Sequence, residues 1–122
     1  MKIATYTRFG ESARRLGMVR GDQIIDLEDN GIDGNMMSVI TGGVDTAAID
    51  AATVGKPGVD LSSVRLHAPV PLPGKILAIG LNYGDHIAET GSEPPKFQMW
   101  FNKQHNCAAG PYDDINLSLI HI

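Results

Sequence analysis

The sequence predicts an α+β fold with a strand-rich front half, on three observations. Short β-preferring runs at residues 2–7, 16–20 and 23–27 are broken by Gly10, Gly17 and the Arg20-Gly21-Asp22 turn. Residues 68–74 read Ala-Pro-Val-Pro-Leu-Pro-Gly, which excludes helix and favours an extended, semi-rigid connector. Beyond it a second apolar run, 75–79, is bounded by Gly74 and Gly80 and opens directly onto a polar cluster containing Asn82, Asp85, His86 and Glu89.

Taken in order, the first three runs read as strands of a small sheet, the second and third joined by a hairpin. The Gly-first pair Gly21-Asp22 suits a type II′ turn, a less specific signal than Asn-Gly. Met36, Met37, Val39 and Ile40, then Ala47, Ala48, Ile49, Ala51 and Ala52, have approximate helical spacing and stop at Gly42-Gly43 and Gly55. This spacing predicts two short helices, with the methionine pair as adaptable core filling. The proline-rich segment 69–74 marks the boundary between a small domain, 1–68, and the remainder of the chain. The run 75–79 reads as a buried strand, and Met99, Trp100 and Phe101 as an apolar anchor for the second domain's core.

Composition narrows the function classes. A chain of 122 residues that is 43% hydrophobic suffices for a modest core but not for two large ones. The formal net charge of −4, with lysine and arginine spread thinly, gives no footprint for a nucleic-acid backbone and disfavours anionic membranes. The longest apolar run is far short of the roughly 20 residues a membrane span needs. The start lacks the apolar core of a secretory signal, and Cys107 is the single cysteine, so a reducing cytoplasm is the expected home. Cys107 reads as a small buried hydrophobe, since no motif supplies it with a base. No phosphate-binding glycine loop of the G-x-x-x-x-G-K type occurs.

The chemistry concentrates at residues 80–89, Gly-Leu-Asn-Tyr-Gly-Asp-His-Ile-Ala-Glu. His86 and Glu89 are three apart, so on a helical turn both project from one face and can share a hydrogen bond, the geometry of a base and its orienter. Taken alone, the pair would be an ordinary helix contact of a few tenths of a kcal/mol. A strand end holds such groups firmly while leaving them open to substrate. Asp85, His86 and Glu89 also read as three metal ligands on donor type alone. Asp113 and Asp114, coming after Gly110-Pro111, suit a turn closed by side chain to backbone hydrogen bonds.

These residues, with Pro94-Pro95, Phe101-Asn102-Lys103 and Gly110-Pro111, resemble the opening of the catalytic domain of the fumarylacetoacetate hydrolase family. The shared pattern is a strand, G-x-N-Y-x-x-H-x-x-E, a Pro-rich segment, F-x-K and G-P. More weakly, Lys2 to Tyr6, Arg15-Leu16-Gly17 and residues 21–27 resemble the small domain that many bacterial members carry in front. The resemblance implies a small N-terminal β-rich domain followed by the start of a mixed β-roll catalytic domain, here 75–117. It implies an enzyme acting on 2-oxo acids or their enols by carbon–carbon hydrolysis, isomerisation, hydration or decarboxylation, with a divalent metal, Mg or Mn, and a homodimer at full length.

By the same resemblance His86 is the base, Glu89 orients it, and Lys103 places a positive charge near a substrate carboxylate or oxyanion. Asn82 and Tyr83 line the substrate site, though loop-satisfying and packing roles fit them equally. His67, His105 and His121 match no functional position. The family's metal ligands are an E-x-E pair and a later aspartate beyond the G-P element, which this chain does not reach, so the metal is not expected to be held here. The ending Leu117-Ser118-Leu119-Ile120-His121-Ile122 matches the translation of a sequencing-library transposon adaptor, so 118–122 are expected to be a non-native tail and the chain a fragment. The competing readings are a natural last strand over 115–122 and a non-catalytic binding or interaction fragment.

Overall fold

A computed structural model describes residues 1–115 of the chain. The expectations for 116–122, including the last strand, the tail and His121, lie outside the described residues. The chain packs as two units: Met1–Pro71 with residues 108–115, and Leu72–Cys107. The division falls inside the proline-rich segment, while residues 108–115 return to the first unit rather than continuing the second.

The first unit is built on a five-stranded antiparallel sheet in the order β4-β3-β2-β1-β5. Its strands are β1 (Ile3–Arg8), β2 (Arg15–Arg20), β3 (Gln23–Asp26), β4 (Val59–Asp60) and β5 (Val64–Leu66). The first three match the apolar runs within a residue or two. The β2–β3 hairpin pairs Arg20 with Gln23, leaving Gly21-Asp22 as a two-residue turn. Gly21 has φ 61° and Asp22 is not at positive φ, as a type II′ turn requires. β4 and β5 leave no mark in the sequence, because two- and three-residue strands are too short to show a period.

Two short helices come after β3: α1 (Met36–Ile40) and α2 (Thr46–Thr53). α1 begins at a reciprocal capping box, with Asn35 Oδ1 accepting from Ser38 N at 3.2 Å. α2 begins at Asp45, whose Oδ1 accepts from Ala47 N at 2.9 Å. Ile49 of α2 joins Leu16, Met18, Ile25 and Leu27 in the core on one sheet face, with Met36 and Val39 packed against it. Met37 is exposed, so the methionine pair splits: one fills the core and its neighbour faces solvent.

The opposite face buries Tyr6, Ile24 and Val64. Gly17 lies beneath them, and an added Cβ would land on the Ile24 side chain and 3.0 Å from the Tyr6 ring. Beside this cluster Asp26, nearly buried, accepts from the Tyr6 hydroxyl, the Asp29 amide at 2.9 Å and the Arg15 guanidinium, with Arg8 3.4 Å away. Burial, then the hydrogen bond to Asp26, pushes the Tyr6 phenol up to about 12. Burial alone would raise the Asp26 carboxyl, but the Arg15, Tyr6 and Asp29 donors outweigh it and hold it at about 2.

The second unit has a two-stranded antiparallel ribbon, β6 (Ile76–Gly80) with β7 (Met99–Lys103), and one helix, α3 (Gly84–Thr90). Three expectations fail here. The run 75–79 forms the expected strand but does not bury it, Leu77 being 61% exposed. Met99, Trp100 and Phe101 anchor no core: all of β7 is exposed, Trp100 by 58%. Cys107 is exposed rather than buried. The physical reason is shared: an apolar run records a tendency to be buried, but burial needs a covering layer, and a two-stranded ribbon has none of its own.

Candidate active site

The motif occupies the corner where β6 gives way to α3. Leu81, directly after the strand, has φ 49°, the one non-glycine residue at positive φ among those described. A leucine in the left-handed region costs of order 1 kcal/mol and turns the chain sharply. Asn82 and Tyr83 complete the corner, both exposed, Tyr83 being the N-cap residue of α3 with no side-chain cap. Asp85 lies in the first turn, where a carboxylate complements the helix dipole. The helix stops at Gly91, φ 64°, whose amide reaches the Ala88 and Ile87 carbonyls, while Thr90 Oγ1 donates to the His86 carbonyl at 3.1 Å.

His86 and Glu89 share one face of α3, with His86 Nδ1 3.8 Å from Glu89 Oε2. Both are exposed, so the contact is an open ion-pair geometry rather than a locked hydrogen bond. The ring nitrogen that faces the carboxylate is Nδ1, so Nε2 is on the far side of the ring.

Lys103 is not brought to this corner by the ribbon. Its register partner is Ile76, at the start of β6, whereas the motif leaves from Gly80, which pairs with Met99. Four residues of strand separate the two ends, about 13 Å at 3.3 Å per residue. Lys103 shares a ribbon face with Phe101 and Met99, and Trp100 is on the other face with Ile79 and Leu77.

No group of three or more His, Cys, Asp or Glu side chains that could hold a metal ion occurs among the described residues. Asp85, His86 and Glu89 therefore do not fit a divalent ion by themselves. Asp113 takes the role of turn carboxylate: its Oδ2 accepts from Gly110 N at 2.9 Å and its Oδ1 from Arg65 at 2.8 Å. His67 lies beside Thr7, Nε2 to Oγ1 3.0 Å, and its pKa is lowered by burial and then by Arg14 and Arg65.

Two features of the structure lie beyond the sequence-based expectations. Leu81 carries no sequence signal beyond its place after a strand and its closing glycine. In the cluster of Tyr6, Arg8, Arg15 and Asp26, all but Arg15 border a cavity of about 310 Å3 that Asp29, Asn30 and Gly58 also line. Its one signal is an aspartate at an inward position of an apolar strand. The arginines are paired with Asp26 and Asp29, so the cluster is a charge-matched structural network.

A strand end, a left-handed corner and a helix presenting a histidine beside a carboxylate thus meet at one place in the second unit. Comparison with known proteins shows what the chain resembles. The chain is 33% identical to the fumarylacetoacetate hydrolase domain-containing protein 2 homolog of Dictyostelium discoideum, over 94% of its own length and 40% of that protein's. It is 48% identical to the oxaloacetate tautomerase YisK of Bacillus subtilis over 56 residues, 43% of this chain and 19% of that one. Among solved structures it resembles the maleylpyruvate hydrolase of Sphingobium sp. SYK-6, crystallised with manganese(II) and pyruvate: TM-score 0.69, 32% identity, 96% of this chain and 42% of that one. No protein-family model matches the chain.

The chain is similar to proteins of the fumarylacetoacetate hydrolase family, and the tautomerase and the hydrolase among these relatives are enzymes. It spans about 40% of the length of the relatives it matches throughout. Its mixed, strand-rich architecture matches part of the hydrolase structure. No described helix is long and apolar enough to cross a membrane.

Proposed function

We propose that this chain carries the base-bearing part of a metal-dependent enzyme acting on 2-oxo acids or their enols. The observation that carries the reading is the His86–Glu89 pair, 3.8 Å apart on an exposed helix face at a strand end. In this reading His86 accepts a proton from water or from the carbon next to a ketone. Glu89 holds Nδ1 of the ring and stabilises the imidazolium that develops. Asn82 and Tyr83 border the substrate at the corner. Lys103 meets a substrate carboxylate only if the chain beyond the described residues brings the two ends of the ribbon to one ligand.

Residues 1–68 are read as the small front domain, 69–74 as its connector and 75–117 as the start of the catalytic domain. The Sphingobium relative was crystallised with manganese and pyruvate, which supports a divalent ion and a 2-oxo acid as the ligand chemistry. Among the described residues no group of three or more His, Cys, Asp or Glu side chains could hold that ion. The protein is further read as a cytoplasmic homodimer. One feature favours a second reading, a non-catalytic binding unit formed by the 122-residue chain itself: the two-faced apolar ribbon.

The test begins with the source DNA across codons 110 to 122 and beyond. If the gene continues, its full product is assayed with magnesium or manganese for keto–enol interconversion of oxaloacetate and for cleavage of acylpyruvates. Turnover that falls at least about a hundredfold in His86→Ala supports the enzyme reading. Unchanged turnover removes His86 from the mechanism, and a native stop after Ile122 gives the lead to the binding reading.

A further inference from the structure

We propose that residues 110–113 form a clasp, a tight turn that covers the outer edge of β5 and fastens the returning chain to the same end of the sheet from which residues 72–107 depart. β5 is the last strand of its sheet and is paired on one side only, with β1. The His67 amide donates to the Thr5 carbonyl at 2.9 Å, so His67 directs its backbone groups toward β1. Backbone groups alternate in direction along a strand, so the Leu66 carbonyl points to the unpaired edge.

Gly110 lies against that carbonyl. A Cβ added to Gly110 would come within 2.7 Å of Leu66 O and 2.8 Å of Asp113 Oδ2, so the approach is open to glycine alone. Asp113 closes the turn from within, its Oδ2 accepting the Gly110 amide at 2.9 Å and its own amide reaching the Gly110 carbonyl at 3.2 Å. It also ties the turn to the strand, its Oδ1 accepting from Arg65 Nε at 3.2 Å and Nη2 at 2.8 Å. One carboxylate thus satisfies a turn amide and a guanidinium on β5 together.

The departing chain is pinned to the neighbouring strand. Thr5 Oγ1 donates to the Pro69 carbonyl at 2.7 Å. Residues 69 and 110 therefore attach to adjacent positions of the β1–β5 pair. The arrangement also addresses the hazard of an open strand edge, whose free amides and carbonyls invite pairing with another chain.

Amide hydrogen exchange on the 122-residue protein tests the clasp. Asp113→Ala removes both contacts and is expected to speed exchange over 108–113 by at least about tenfold, with residues 15–27 unchanged. Arg65→Ala, which removes one contact at an exposed side chain, is expected to act in the same direction with smaller effect. Asp113→Asn, which keeps an acceptor for the Gly110 amide but loses the charge, falls between them. Gly110→Ala is expected to free the segment as fully as Asp113→Ala. Parent-like exchange over 108–113 in both Arg65→Ala and Asp113→Ala overturns the proposal. If Asp113→Ala loosens residues 15–27 as well, Arg65→Ala decides alone: acceleration confined to 108–113 supports the clasp, and none refutes it.

Discussion

Replacing Asp26 by asparagine removes one charge from the most connected polar group of the first unit and keeps its volume. The carboxyl is held at about 2 against an ordinary 3.8, a difference of about 1.8 pH units. At 1.36 kcal/mol per unit this corresponds to about 2.4 kcal/mol of folding stability near neutral pH. Because Asp26 is nearly buried, little of this is lost to solvent screening. Asparagine also leaves Arg15, itself mostly buried, without its carboxylate, so the expected loss rises to about 3 kcal/mol. Urea unfolding followed by far-UV circular dichroism measures it. The sign with pH is fixed: a depressed carboxyl contributes fully above 3.8, and its contribution disappears as pH falls through about 2. The parent should therefore lose stability between about pH 4 and pH 2 and Asp26→Asn should lose much less. A loss under about 0.5 kcal/mol at neutral pH, or parallel acid profiles, would refute the network as a source of stability.

Three further outcomes are expected. In the full-length enzyme Glu89→Gln should lower turnover less than His86→Ala and shift the pH profile, because it changes the orientation and charge around the base without removing it; indistinguishable profiles would separate Glu89 from His86. Gly17→Ala should destabilise by about 1–3 kcal/mol, since its methyl collides with Ile24 and Tyr6; an unchanged urea midpoint contradicts the packing described. The 122-residue chain should associate in sedimentation velocity, because Leu77 and Trp100 on one ribbon face and Phe101 and Met99 on the other lie exposed. A monodisperse monomer that unfolds cooperatively argues against that.

Legibility in the sequence tracks the range of the interactions. β1 to β3 announce themselves because β-preferring runs and the glycines and turn that break them are written within a few residues, and α1 and α2 because apolar residues recur at helical spacing and stop at Gly42-Gly43 and Gly55. The His86–Glu89 face is likewise set by helix period alone. Strand register is not written locally, so the distance between Lys103 and the motif emerges only with the pairing of Ile76. The same holds for Tyr6, Arg15 and Asp26, which meet through two strand pairings and carry no common motif. Hydrophobicity overstates the burial of β6 and β7 because packing requires a partner layer, which no short apolar run encodes by itself.

The strand order has a consequence for the chain as it is made. β1 is synthesised before the other described strands yet lies inside the sheet, between β2, its immediate successor in the chain, and β5, which begins at Val64. At about 5–20 residues per second a ribosome takes several seconds to pass from one to the other. Through that interval β1 is an edge awaiting its second neighbour, in a crowded setting where strand edges are dangerous. The residues that wait there include Thr5, Thr7 and Arg8, polar groups later engaged by Pro69, His67 and Asp29. Side chains that complete the finished sheet thus also give the waiting strand polar groups while the sheet is unfinished.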